Sequence, residues 1–281
     1  MIELLAEPFR YEFLRNALVV CTVGGGLCGL LGVYVTLRGL SYLGHGLSHA
    51  IFGGAAVSAA IGLDVLVGAG IWGLGSGLAV SRVTNRRVVR ADAAVGVITT
   101  ASFAFGVALL GRYAEVQQSI EATVFGSVLG VTTVDLWVIV AVAVATVVAV
   151  VALYRPLLYT TFDAEVAEAT GTPTGRIDAV LMLLLCGAIL TSMQVLGVTL
   201  IAAALVLPAV VARMLTDSFA RMLVLSTALG AAGGLVGMYL SYHLDISSGA
   251  TIVLVEFAAF AVVFAVDGAR RAGRAARPAR R

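Results

Sequence analysis

Apolar residues fill this chain in long runs separated by short polar segments. The runs do not alternate apolar and polar positions, as the strands of a membrane β-barrel would. Each approaches the roughly 20 helical residues that cross a bilayer core of about 30 Å. The runs are 16–37, 47–63, 65–81, 93–111, 134–153, 177–194, 196–213, 222–241 and 249–266. The pattern predicts one all-α domain over residues 1–281, a membrane bundle of about nine (eight or nine) spanning helices.

Composition supports this class. Of the 281 residues, 60% are hydrophobic and 12% are charged, against about 25% charged in a typical soluble protein. A cytosolic globular enzyme, a disordered chain and a secreted disulfide scaffold are therefore excluded. The net charge of +2 gives no support for a nucleic-acid partner. The three cysteines lie in apolar runs and are expected to be packing residues.

The basic residues, all arginine, predict the orientation. Successive clusters are separated by pairs of apolar runs, so they fall on one face of the membrane. These clusters are Arg38; Arg82, Arg86, Arg87 and Arg90; Arg155 and Arg176; Arg213 and Arg221; and a basic tail over 268–281. The positive-inside rule makes this face cytoplasmic, with the N-terminus outside and the C-terminus inside. Segment 113–133 then begins and ends outside and is predicted to be an interfacial or re-entrant helix.

The longest cytoplasmic loop is predicted to run from Arg155 to Arg176, too short for a nucleotide-binding domain. A P-loop requires a lysine, and the chain has none. We therefore expect a protein that is not an enzyme, with any ATP-driven motor in another subunit. Within the loop, Asp163 is a predicted N-cap, Glu165 lies in the first helical turn, and Gly171 ends the helix. This short helix is either a docking element for a partner or a simple surface helix.

Two histidines form the main candidate site. His45 and His49 are four residues apart, so they share one face of a helix entering the membrane. Two imidazoles at this spacing can bind one transition-metal ion, and ionisable groups at membrane depth are costly enough to suggest a function. Packing histidines are one alternative. An intramembrane zinc hydrolase is another, but the general-base position of its H-E-x-x-H motif holds Gly46.

Glu256 lies inside the last apolar run. A carboxylate at this depth is a candidate third metal ligand, a gate or a helix–helix contact. The sequence leaves these three readings open.

Four stretches together resemble the membrane-spanning subunits of ABC importers for manganese, zinc or iron, the ABC-3 metal permease family. They are Ser41–Ala50, similar to S-x-x-G-D-A-L-S-H-A; Ala91–Gly96, similar to E-D-x-A-I-G; Phe162–Gly171, similar to F-D-x-E-x-A-x-x-x-G; and Val195–Ala212, similar to V-G-x-L-L-V-x-A-L-L-I-x-P-A-x-x-A. The likeness extends from about Phe13 to Val266.

The resemblance implies a permease fold like that of type II ABC importers, in a bacterial plasma membrane. It implies a homodimeric pathway, a separate cytoplasmic ATPase and an extracytoplasmic metal-binding lipoprotein. Access to the site would alternate between the two faces. The ATPase would seat on a coupling segment of which Phe162, Asp163, Glu165, Ala167 and Gly171 match the family pattern. The divalent ion would be transported cargo, with no permanently bound cofactor.

One departure concerns the metal. The family commonly has aspartate where this chain has His45, and this replaces an oxygen ligand with an imidazole. Two imidazoles suit manganese, iron and zinc alike, with a tilt towards zinc. The resemblance carries a metal role onto His49 and, less directly, onto His45. Manganese is the first expectation, with zinc or iron next. An importer for a larger chelate, such as a siderophore or cobalamin, is the alternative within the same architecture.

Overall fold

The computed structural model describes residues 11–85, 91–112 and 131–275, and all regular elements in these ranges are helices. In chain order they are α1 (Glu12–Leu37), α2 (Tyr42–Ile61), α3 (Val65–Asn85), α4 (Ala91–Arg112), α5 (Thr133–Ala152), α6 (Tyr154–Phe162), α7 (Ala164–Ala169), α8 (Thr174–Leu196), α9 (Ile201–Leu215), α10 (Phe219–Leu244) and α11 (Ser248–Ala275). The predicted all-α class is confirmed.

Each of the nine predicted runs overlaps one of these helices for most of its length. The predicted count of spans is nevertheless slightly too high. Among the described residues, seven helices are long and apolar enough to cross a membrane: α1, α3, α4, α5, α8, α10 and α11. Helix α9 has 15 residues and is therefore only about 22 Å long. Helix α2 has 20 residues but is less apolar, because it carries two histidines and several glycines and serines.

Some predictions concern residues outside the described ranges. Residues 113–130 of the predicted re-entrant segment are outside, and so are Arg86, Arg87 and Arg90. The last six residues of the basic tail are also outside.

Helix α1 is the central helix of the bundle and packs against α5, α8, α9 and α10. Its contact with α10 is the most extensive and is made by glycines. A Cβ atom at Gly25 would collide with the carbonyl of Gly230, and one at Gly29 with the carbonyl of Ser226. The two backbones therefore touch directly, a common way of packing helices in a bilayer. The Ser226 hydroxyl adds a hydrogen bond to the carbonyl of Gly29.

Helix α2 lies against α3 and α4 on one side and against α8 and α9 on the other. Gly46 brings α2 close to α4, since a Cβ there would lie 2.7 Å from the Val95 side chain. At the periphery, α5 exposes large apolar side chains such as Trp137 and Val148. An apolar exposed surface of this kind suits contact with lipid, as expected for a multi-pass membrane protein.

The loop between α5 and α8 is more helical than predicted. It contains α6, which the sequence analysis did not anticipate, followed after the single residue Asp163 by the predicted short helix α7. The Asp163 carboxylate accepts hydrogen bonds from the backbone amides of Glu165 and Val166. Gly171 has a φ of +83°, and the amides of Gly171 and Thr172 bond back to the carbonyls of Glu168 and Ala167. The predicted N-cap and glycine stop are both confirmed.

Candidate functional site

The structure places His45 and His49 on one face of α2, as the spacing predicted. The Nε2 atoms of the two imidazoles are 3.1 Å apart, and their ring centroids are 4.4 Å apart with the rings nearly perpendicular. Both side chains are half-buried. This contact is a hydrogen bond in which one Nε2 donates and the other accepts. With both rings protonated at Nδ1 instead, the two Nε2 atoms are available to a single metal ion.

Aromatic rings flank the pair. The His49 ring lies edge-on to Phe103, with centroids 4.7 Å apart, and the His45 ring lies 5.5 Å from that of Tyr42. Phe103 is near the middle of α4, so His49 is level with the middle of a candidate span rather than with a surface loop. The Nδ1 atom of His49 is buried and has no hydrogen-bond partner among the described residues.

The turn between α8 and α9 is hydrogen-bonded to the part of α2 that carries the two histidines. The Ser48 hydroxyl lies 2.8 Å from the carbonyl oxygen of His45 and 2.9 Å from that of Val198. Ser48 is fully buried between the two histidines. Its bridge to Val198 therefore ties the histidine-bearing segment to the point where the chain turns from one helix into the next.

Glu256 is not brought together with the histidines. Among the described residues, no group of three or more His, Cys, Asp or Glu side chains is arranged to hold a metal ion. The Glu256 side chain is only 4% exposed and lines a cavity of about 120 Å³ between α9, α10 and α11. Neither carboxyl oxygen has a hydrogen-bond partner within the described part of the chain. The Glu256 side chain packs where α10 and α11 meet, since a Cβ at Gly233 would lie 2.7 Å from it. A role as ligand, gate or helix contact stays a prediction.

The remaining predicted site residues lie in and around α7. Ala167 is fully buried, whereas Phe162 is 64% exposed. Phe162 nevertheless contacts the ring of Phe219 at the start of α10, with centroids 5.9 Å apart. Asp163, Glu165 and Gly171 define the two ends of α7. The segment thus presents a short capped helix at one end of the bundle.

A polar contact at this end of the bundle has no signal in the sequence. The Arg38 guanidinium, at the end of α1, forms an ion pair with Asp178 of α8 at 2.6 Å. It also donates to the Thr160 and Thr161 hydroxyls of α6. These residues are separated by more than 120 positions, so no spacing pattern reveals the contact. It does show that Arg38 and the 155–176 loop lie at the same end of the bundle.

Comparison with known proteins identifies the family. The family profile described as "ABC 3 transport family" matches residues 10–267. The chain belongs to the ABC 3 transport family. Members of this family are transport proteins by that description, and the chain is accordingly a transport subunit rather than a catalyst.

Individual relatives of this ABC 3 chain are similar over most of their length. It is 35% identical over 258 residues to a manganese transport system membrane protein, MntC, of Halalkalibacterium halodurans, covering 92% of this chain and 88% of that protein. It is 30% identical over 262 residues to the chelated iron transport system membrane protein YfeD of Yersinia pestis, covering 93% and 88%.

A solved structure shares the architecture. A chain of PsaBC from Streptococcus pneumoniae, determined in complex with a Fab, superposes with a TM-score of 0.83 at 31% identity. The match covers 94% of this chain and 95% of that one. The fold described above is therefore that of an ABC transporter permease.

Proposed function

We propose that this chain is the membrane-spanning permease of an ATP-driven importer for a divalent transition metal, manganese first, with zinc or iron next. The observation that carries the proposal is the close approach of the His45 and His49 Nε2 atoms on one face of α2. Relatives named for manganese and for chelated iron support the cargo class.

The distance between the imidazoles suits one ion. Two nitrogens 3.1 Å apart can both lie about 2.1 Å from one metal ion, at an N–metal–N angle of about 95°. This angle is closer to the 90° of neighbouring octahedral ligands than to the 109° of a tetrahedron. Octahedral manganese sites are typically built from oxygen ligands, whereas imidazole also suits zinc and iron. The distance between the imidazoles therefore supports a single bound ion, and the choice of manganese rests on the relatives named for it.

Two imidazoles do not complete the coordination of any such ion. Zinc takes four ligands and octahedral ions take six. Since both histidines are half-buried in the isolated chain, we place a second permease copy against this face, as the family resemblance implies. A second His45–His49 pair and water would supply further ligands. The transported ion would then bind between the two copies.

The end of the bundle that carries Arg38 and α7 is placed in the cytoplasm. There, a separate ATPase subunit would dock on Phe162, Asp163, Glu165, Ala167 and Gly171. An extracytoplasmic metal-binding lipoprotein would deliver the ion at the other end. The proposed location of the protein is a bacterial plasma membrane, with the N-terminus outside and the C-terminus inside.

The same geometry argues against the two alternatives. Imidazoles that already touch leave no room between them for a bulky chelate, which favours a bare ion over a siderophore or cobalamin. A zinc hydrolase requires a general base beside the metal. Gly46 occupies the motif position for that base, and Glu256 is not grouped with the histidines.

The test is metal uptake by proteoliposomes that contain the permease, its ATPase and its binding lipoprotein. Manganese, zinc and iron are supplied separately. His49→Ala is expected to abolish ATP-dependent uptake while the complex still assembles. His243→Ala is the matched control, because its imidazole packs against Tyr239 and Tyr242 on α10 rather than against the pair. Normal uptake by the His49 variant would remove the metal assignment.

A further inference from the structure

The turn between α1 and α2 is closed by backbone hydrogen bonds. The amide of Gly39 bonds to the carbonyl of Thr36, and the amide of Leu40 to that of Val35. With Gly39 in the left-handed conformation at φ +67°, this is a complete Schellman motif. The Leu43 amide then bonds to the Leu40 carbonyl, 2.8 Å away. The end of α1 and the first turn of α2 are therefore joined by a defined corner rather than by a loose loop.

Arg38 stands at this corner and its side chain is only 11% exposed. Three of its nitrogens are used: Nη1 for Asp178 at 2.6 Å, Nη2 for Thr160 at 2.9 Å and Nε for Thr161 at 3.2 Å. A guanidinium presents its donors in a fixed planar fork. One side chain thus connects α1, α6 and α8.

The two threonines are oriented to receive it. Thr160 donates its hydroxyl hydrogen to the carbonyl of Pro156, and Thr161 donates to that of Leu157. Their oxygen lone pairs are consequently left to accept from Arg38. The threonines end α6, and only Asp163 separates that helix from α7. Any displacement of α7 therefore reaches the Arg38 contacts within two or three residues.

We propose that Arg38 is a positioning residue that transmits movement of the coupling segment to the histidine-bearing helix. The path runs from α7 through Thr160 and Thr161 to Arg38, and from there through the Gly39 corner to α2. His45 lies in the first turn of α2, seven residues after Arg38. This inference rests on the proposed function, because it requires an ATPase that moves α7.

The experiment measures metal delivered per ATP hydrolysed by the reconstituted complex. Arg38→Ala is expected to retain ATP hydrolysis but to lower this ratio about 10-fold, a typical size for a lost coupling between sites. Arg38→Lys should give a ratio between those of the wild type and Arg38→Ala, since an ammonium group keeps the charge but not the planar fork of donors. Arg213→Ala is the matched control, because its ion pair with Asp217 is also an arginine–aspartate pair but is exposed.

A second variant separates coupling from folding. Thr160→Val combined with Thr161→Val keeps the Arg38–Asp178 ion pair and removes only the link to α6. We expect it to lower the ratio as well, whereas Thr146→Val, a buried threonine of α5 with no hydrogen-bond partner in the described chain, should not. An unchanged ratio in the double variant, even if Arg38→Ala fails to assemble, would overturn the inference. Absence of uptake by the wild-type complex would instead refute the proposed function, and the inference with it.

Discussion

Replacing Glu256 by methionine should make the protein more stable. The carboxyl group is 4% exposed, and neither oxygen has a hydrogen-bond partner among the described residues. Its neighbours around the cavity are apolar, and they include Pro208, Leu229 and Val255. Methionine is similar in length, carries no group that needs a partner and adapts to irregular spaces.

The expected gain follows from the state of the carboxyl group. A buried polar group without a partner costs about 1–3 kcal/mol of folding free energy. For a chain of this size, each kcal/mol corresponds to roughly 2–4 °C in the melting temperature. We therefore expect Glu256→Met to melt several degrees higher than the wild type. Glu256→Gln should change little, because the amide has nearly the same shape and remains unpaired.

The assay is thermal unfolding of the purified permease in detergent, followed by the loss of monodisperse protein on size exclusion. A melting temperature of Glu256→Met at or below the wild-type value would refute the reasoning, since it would show that the carboxyl has a stabilising partner. Metal uptake by the same variant addresses a separate question. Retained uptake is expected if Glu256 is a contact between helices, and lost uptake in a folded variant would restore it as a ligand or gate.

Three further variants test other parts of the structure. Gly29→Ala should lower the melting temperature, because overpacking at this position costs about 1–3 kcal/mol of folding free energy. Gly75→Ala should not lower it, because a Cβ atom at Gly75 would point into open space. Equal melting curves for the two variants would contradict the close packing of α1 on α10. Asp163→Ala should weaken binding of the ATPase subunit in a titration, because α7 loses a helix N-cap worth about 1 kcal/mol. Asp163→Asn should keep the binding, since asparagine is also a good N-cap. Unchanged binding by the alanine variant would mean that α7 forms without its N-cap. His45→Asp should keep manganese uptake and lose competition by zinc, because a carboxylate is the harder ligand; complete loss of uptake would show that both imidazoles are required.

Local signals in the sequence were sufficient for the helices and for the histidine pair. The apolar runs located nine helices, and the i, i+4 spacing placed His45 and His49 on one face. Asp163 and Gly171 fixed the ends of α7 because capping depends on neighbouring residues alone. Helix α6 also carries a local signal, because Pro156 lies in its first turn, where proline is well tolerated.

Contacts between distant segments could not be predicted in the same way. The ion pair of Arg38 with Asp178 joins residues 140 positions apart. In the sequence, Arg38 is only one of the arginines that predict the orientation in the membrane. The separation of Glu256 from the histidines likewise depends on how the helices are ordered around the bundle. Hydropathy also overestimated the number of spans, because it does not reveal the turn at 197–200 after which α9 begins only at Ile201.

The shortness of α9 has a consequence for hydration of the pathway. Its length of about 22 Å falls some 8 Å short of a bilayer core of about 30 Å. With the C-terminal end of α9 at one surface of the bilayer, the turn at 197–200 would lie below the other surface, where exposed backbone groups must meet protein or water rather than lipid. Because Ser48 bonds to Val198 in that turn, a water-filled vestibule ending there would bring a hydrated ion to within one helical turn of His49. The dehydration of the ion and its capture by imidazole would then occur at nearly the same point.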